Sequence, residues 1–352
     1  MNLLLTLVYG GISLVVAILA FPILINLLHR WQLLDHPSNH KIHPSFTPSM
    51  GGICILLAVS ITLLIAFPMS EWARLKFYFI SLAVILVVGL RDDILNLTPW
   101  QKLVGQFLPV FLVVFLGGVE ITSLYGFWHS PFPEWASWVI TTFVLVVLTN
   151  SYNLIDGIDG LAGIVSAIIF LVLAVWFWMT GDEYLATLAG VFFGAIVGFL
   201  YYNWSPSKIF MGDTGTLPIG FTMSVLVVIF MEENNRLDPA SPHKFNASIG
   251  TAVCLFVIPV FDTVRVVILR LLAGQSPFRA DRNHLHHQLL RLGFTHAQTA
   301  LVLGAINLAF IGLAWFGKNW PEPLLLTLVT ISCIMLGAIF NRGEKNRNAR
   351  KN

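Results

Sequence analysis

Charge is scarce in this chain. Asp, Glu, Lys and Arg together make up 11% of 352 residues, where an ordinary soluble domain carries about a quarter. The deficit runs the whole length, so a water-soluble globular domain is excluded. Cysteine is scarce too: Cys54, Cys254 and Cys333 each sit in an apolar run, which leaves no disulfide framework and no zinc-ligand spacing. A basic segment before the first apolar run is also missing, and that run, residues 3–28, is longer than a signal-peptide core. It is expected to be a retained helix. Repeats, low-complexity stretches and an inserted soluble domain are all absent.

What is abundant is apolar: 57% of the residues are hydrophobic. A bilayer core needs about 20 apolar residues of helix. Segments of that kind start near Leu3, Gly51, Leu75, Leu103, Trp135, Leu161, Tyr184, Thr214, Asn246, Thr299 and Pro323. In lipid only helices and closed barrels satisfy every backbone group, and continuous apolar runs select helices. The expected fold is all-α and polytopic, with about eleven spans, or ten if short and interrupted segments are merged. With the N-terminus outside, Arg74, Lys76, Arg236, Lys244 and Lys318 fall outside and the other fifteen Lys and Arg fall inside. That asymmetry favours an outside N-terminus and a cytoplasmic C-terminus. From Arg342 onward the chain reads as a basic, solvated end near anionic lipid.

The same orientation gathers the unusual polar residues on the cytoplasmic face. Arg91-Asp92-Asp93 closes an apolar run. An Asp pair at a helix end is often only solvated, but paired carboxylates also suit a base or a hard cation such as Mg²⁺. Lys102, at the next helix start, can serve a phosphate as a point charge. The stretch from Asn150 through Asn153, Asp156 and Asp159 to Gly160 joins two apolar segments without a single Lys or Arg. It could be a polar turn with Asp caps, yet its two Asn add oxygen donors to two carboxylates. Phe210-Met-Gly-Asp213-Thr-Gly puts Asp213 where it either caps a helix or binds a cation; Phe210 by itself reads as packing. His284, His286 and His287, with Arg279 and Arg282, form a cationic patch that favours phosphate over zinc, because no cysteine is near. The loop of residues 35–52, with Lys41, His43 and Gly51-Gly52, is weak alone. Four polar clusters on one membrane face read as functional. Cation-binding carboxylates beside phosphate-binding cations imply phosphoryl transfer between a soluble and a lipid substrate. A transporter, the rival, would hold its charges near the bilayer midplane in broken helices.

The order of these motifs resembles the polyprenyl-phosphate N-acetylhexosamine-1-phosphate transferases. The residues that carry it are Asp92-Asp93, Asn153-Leu-Ile-Asp156-Gly-Ile-Asp159-Gly, Phe210-Met-Gly-Asp213-Thr-Gly and His284-Leu-His286-His287. The last motif, with the loop His40-Lys-Ile-His43, resembles the GlcNAc-1-phosphate branch. The resemblance implies a cytoplasmic cleft in which undecaprenyl phosphate attacks a UDP-N-acetylhexosamine and UMP leaves. It implies Asp92 as the base with Asp93 beside it, and Asn153 and Asp213 as ligands of Mg²⁺, with Mn²⁺ as a substitute. Asp159 and Phe210 become uracil contacts, while Asp156, Lys102, Arg282, His284, His286 and His287 shape the phosphate and sugar site. Asn96 stands where many members carry a third Asp. Also implied are one transmembrane domain (1–341) with a basic tail (342–352), a bacterial inner-membrane location among lipids, and a homodimer as the candidate assembly. No nucleic-acid partner is expected.

Overall fold

The computed structural model describes residues 3–31, 47–127, 130–276 and 283–351. Among these there are helices and loops only. They are α1 (Leu3–Arg30), α2 (Gly52–Ala66), α3 (Met69–Arg74), α4 (Lys76–Leu95), α5 (Pro99–Phe111, continuing as a π-helical turn, Leu112–Leu116), α6 (Glu134–Leu154), α7 (Leu161–Thr180), α8 (Glu183–Asn203), α9 (Asp213–Arg236), α10 (Ser248–Leu255), α11 (Val257–Leu272), α12 (Leu285–Arg291), α13 (His296–Phe316) and α14 (Glu322–Lys351).

Each of the eleven apolar segments is helical. By length and composition eight of the described helices can cross a membrane, and nine if α10 and α11, bent by 84°, form one span. The other two segments are α2, with 15 residues, and α4, whose 20 residues carry Arg91-Asp92-Asp93 in the last turns. A break inside lipid frees backbone carbonyls, which a neighbour must satisfy. At the α10–α11 bend Asn307 of α13 does so, donating from Nδ2 to the Leu255 carbonyl at 3.3 Å.

The bundle is organised around α9. In its most apolar window 94% of residues are buried, against 28% for α1 and 22% for α14. Helices α2, α4, α6, α7 and α10 pack around α9. Outer faces of α1 (Leu4, Leu19, Ile23) and α14 (Ile334, Met335, Ile339) stay exposed and apolar, as a lipid-facing surface requires. Helix α8 meets α1 along a stripe of small residues, Gly190, Gly194 and Gly198. A Cβ on Gly194 would fall 2.0 Å from the Gly10 carbonyl oxygen, and one on Gly198 2.8 Å from the Ala17 Cβ. Without a hydrophobic driving force between helices in lipid, such close backbone approach supplies the packing energy.

Helix α14 runs through Arg342 without a break. Glu344 accepts from Arg291 Nε at 2.6 Å, and Arg347 donates to the Arg291 carbonyl at 2.8 Å. The segment from Arg342 is thus a helical extension of α14 that contacts α12 through these two exposed bonds.

Candidate active site

The end of α4 and the starts of α5 and α9 meet at one end of the bundle. Close approach is built into α4: a Cβ on Gly89 would lie 2.2 Å from the Asp213 carbonyl oxygen. Helix α5 starts at a capping box in which Thr98 and Gln101 exchange side-chain and backbone hydrogen bonds, with Pro99 at the first helical position. That start places Lys102 in the first turn. Residues 48–52 pair with residues 210–211 through Phe210 N–H to Pro48 O (2.9 Å), Gly51 N–H to Phe210 O (2.9 Å) and Gly52 N–H to Met211 O (3.0 Å). Gly212, at φ 70°, then turns the chain into α9.

Four candidates converge there. Lys102 Nζ lies 2.6 Å from Asp92 Oδ2 and 2.6 Å from Asp213 Oδ1, and donates to Asn153 Oδ1 at 3.3 Å. Asn153 Nδ2 donates to Asp213 Oδ1 and, at 2.5 Å, to Thr216 Oγ1. Asp92 is buried, and its second oxygen accepts Leu97 N–H at 2.7 Å. Asp93 faces differently: its two oxygens accept Asp213 N–H (2.8 Å) and Thr214 N–H (2.9 Å). It caps α9 from another helix and so positions Asp213. Asn96 ends α4 in the left-handed region at φ 50°, which Asn tolerates better than most residues. That gives position 96 a conformational task.

The 155–160 loop links this cluster to a second one. Burial raises the Asp156 carboxyl to about 7; Asp213, Asp93 and Asp159 add to the rise, and the Gly212 N–H partly offsets it. A Cβ on Gly157 would fall 2.4 Å from His286 Nε2, so only glycine lets the loop meet that ring. His284 and His286 stack with centroids 5.7 Å apart, and His287 lies 4.3 Å from His286. His286 is held well below the usual imidazole range by burial and by His287, His284 and His296. Its Nδ1 has no hydrogen-bond partner among the described residues. The expected cationic patch thus contains a neutral histidine.

Asp159 stands apart from Lys102. Only 2% exposed, it accepts from Ser207 Oγ at 2.9 Å and lies 3.5 Å from His296 Nδ1. Phe210 is half-buried on the strand-like pairing with Pro48 and Gly51. Arg282 lies outside the described residues, as do Asp35, His36, His40, Lys41, His43 and Arg279. Ser207 and His296, together with Asp262, whose Oδ2 lies 2.9 Å from His284 Nδ1 and whose Oδ1 accepts Leu285 N–H at 2.8 Å, are partners that the site reading from sequence did not include. Each lies tens of residues from the group it contacts, and only Asp262, a charge within an apolar run, was visible as unusual.

No group of three or more His, Cys, Asp or Glu among the described residues forms a closed metal cage. Mg²⁺ does not need one, since it uses one or two carboxylates together with waters and substrate phosphates. The Asp92, Asp213 and Asn153 oxygens are hard donors, and the Lys102 ammonium already sits among them as a cation. The donor set fits Mg²⁺.

Residues 75–231 match the model of the family described as Glycosyl transferase family 4. Over 334 residues the chain is 31% identical to "Probable undecaprenyl-phosphate N-acetylglucosaminyl 1-phosphate transferase" of Bacillus subtilis (strain 168), covering 93% of this chain and 89% of the relative. It is 30% identical over 326 residues to "Undecaprenyl-phosphate alpha-N-acetylglucosaminyl 1-phosphate transferase" of Escherichia coli (strain K12), covering 89% and 85%. For the protein of that name in Yersinia pestis the figures are 28% over 323 residues, covering 88% and 84%. Likeness over nearly the full length, with Asp92, Lys102, Asn153 and Asp213 inside the family match, means that this chain belongs to glycosyl transferase family 4.

Proposed function

We propose that this chain transfers N-acetylglucosamine-1-phosphate from UDP-GlcNAc to undecaprenyl phosphate, giving the lipid-linked sugar diphosphate and UMP. The product would start a cell-envelope polysaccharide. One observation carries the reading: Lys102 bridges Asp92 and Asp213 at 2.6 Å each, with the Asn153 oxygen at 3.3 Å. An ammonium, hard oxygens and a candidate base stand together at the end of an apolar bundle. That is what transfer between a charged lipid and a diphosphate requires.

An oxygen of the lipid phosphate bonds to the phosphorus that carries the sugar. The bond from that phosphorus to the bridging oxygen breaks, and UMP leaves with the electron pair. Such a reaction is catalysed by positioning and charge stabilisation. Asp92 accepts a proton from the attacking phosphate, and Lys102 meets the charge that develops on the diphosphate. Asp213 and Asn153 would hold Mg²⁺, which supplies charge neutralisation across the diphosphate. Asp93 keeps Asp213 in place by capping its helix.

Purified chain given UDP-GlcNAc, undecaprenyl phosphate and Mg²⁺ should release UMP, and added UMP should drive the reaction backwards. Release of UDP would mean glycosyl transfer and a wrong mechanism. The site would face the cytoplasm: a reporter after Asn352 should be cytoplasmic and one in residues 232–243 outside. Finding both on one side would overturn that orientation.

A further inference from the structure

Gln106 is a polar side chain that the reaction above does not use. It is 1% exposed on α5, near the buried Pro109 and Val110. A buried amide is costly unless its polar atoms are paired. Here the pairing is reciprocal and crosses to α6. Gln106 Nε2 donates to Asn150 Oδ1 at 3.2 Å, and Asn150 Nδ2 donates to Gln106 Oε1 at 2.7 Å. Asn150 Nδ2 also donates to the Val146 carbonyl at 2.7 Å, one turn back on its own helix. Both N–H groups of Asn150 are thus used, and its amide plane is fixed. The hydroxyls of its neighbours Thr149 and Ser151 have no hydrogen-bond partner among the described residues.

The place of this clasp is informative. Residues three or four apart lie on one face of a helix. Gln106 is four residues after Lys102 on α5, and Asn150 is three before Asn153 on α6. The two helices run antiparallel at this contact, so it has two polar rungs: Lys102 Nζ to Asn153 Oδ1 at 3.3 Å, and the amide pair one turn deeper. Apolar contact is non-directional and would let either helix slide. Two paired amides would not, because a shift of one residue, about 1.5 Å along the axis, breaks both bonds.

We propose that Gln106 and Asn150 are positioning residues for the transfer: their reciprocal amide clasp sets the register of α5 against α6 and so holds Lys102 and Asn153 on the same diphosphate. The proposal rests on the phosphotransfer reading.

The test is exchange of the two side chains. Gln106→Asn shortens the clasp and Asn150→Gln crowds it, while the double variant restores the summed reach. UMP release per folded molecule and the melting temperature in detergent are measured for the full chain. Each single variant should release UMP about 10-fold more slowly, since catalytic groups displaced by a fraction of an ångström lose rate steeply. The double variant should recover to within about threefold of wild type, the remainder of a loss on that scale. A folded double variant no faster than the slower single overturns the proposal and points to Asn150 meeting substrate directly. Single variants that melt lower but turn over at the wild-type rate overturn it as well, because the clasp then only stabilises the bundle. If a single variant does not fold, the double decides, and a double that fails to fold while either single folds overturns the clasp. A wild-type chain that releases no UMP overturns the phosphotransfer reading and the positioning role with it. Melting temperatures that fall in the singles and recover in the double would still establish the clasp.

Discussion

Carboxylates are buried at both ends of α9, and their partners differ. At the far end, roughly 30 Å from Asp213 along the helix, one oxygen of Glu232 accepts Thr122 N–H (2.7 Å), Thr122 Oγ1 (2.9 Å) and Tyr125 Oη (2.6 Å). Glu322, 1% exposed, accepts the Ile249 and Gly250 N–H groups at the start of α10. These donors are mostly backbone and hydroxyl groups of the protein itself, so the two glutamates pin loops and helix ends. At the near end Asp92 and Asp213 share the Lys102 ammonium, a cation that a metal or a substrate can rearrange. Burial alone does not separate the carboxylates proposed to act in transfer from the others; the kind of donor does.

The contrast breaks most visibly in turnover. Asp92→Asn and Asp213→Asn should each reduce UMP release by about 10²-fold or more, the scale of a lost general base or charge stabiliser. Their thermal stability in detergent should stay close to wild type. Glu232→Gln should do the reverse, costing about 1–3 kcal/mol, as expected for disturbed buried hydrogen bonds, with turnover per folded molecule unchanged. Equal loss of activity at both ends would erase the distinction. Asp93 sharpens it, being a near-end residue with a far-end type of bonding. Asp93→Asn should lower both turnover and melting temperature, whereas Asp92→Asn lowers turnover alone.

The expected effect spread most thinly across conditions is a pH slope. The Asp156 carboxyl is raised from 3.8 to about 7 by burial and neighbouring acids. Between those values the folded chain holds a proton that the unfolded chain has lost. Stability therefore falls as pH rises from about 4 to about 7 and levels off above. Melting curves across that window should show the decline, and Asp156→Asn should flatten it. A slope that survives the substitution would assign it to another group.

Much of this was legible in the sequence because the signals are local. Apolar runs located the eleven apolar helical segments but not the short helices α3 and α12 or the break between α10 and α11, and Asn153, Asp156 and Asp213 stood out as polar residues in apolar surroundings. What pairs with what was not legible. Lys102 and Asp213 are 111 residues apart, and nothing in either segment encodes their contact. Spacing suggested that Asp92 and Asp93 act together, but adjacent residues on a helix point different ways, and one faces Lys102 while the other caps α9. The three histidines read as one positive patch until burial held His286 neutral. The glycines spaced by four on α8 were not singled out from sequence, since helix packing in lipid is decided by close approach to a second helix.

The division of labour between Asp92 and Asp213 is tested most directly by calorimetric binding of UDP-GlcNAc, with and without Mg²⁺, to Asp92→Asn and Asp213→Asn beside the wild-type chain. Asp213→Asn should lose the Mg²⁺-dependent part of nucleotide-sugar binding. Asp92→Asn should keep it while turnover is lost, because a base acts only on the attacking lipid phosphate. If Asp92→Asn loses nucleotide-sugar binding as severely as Asp213→Asn, the base assignment is contradicted and both carboxylates hold the cation.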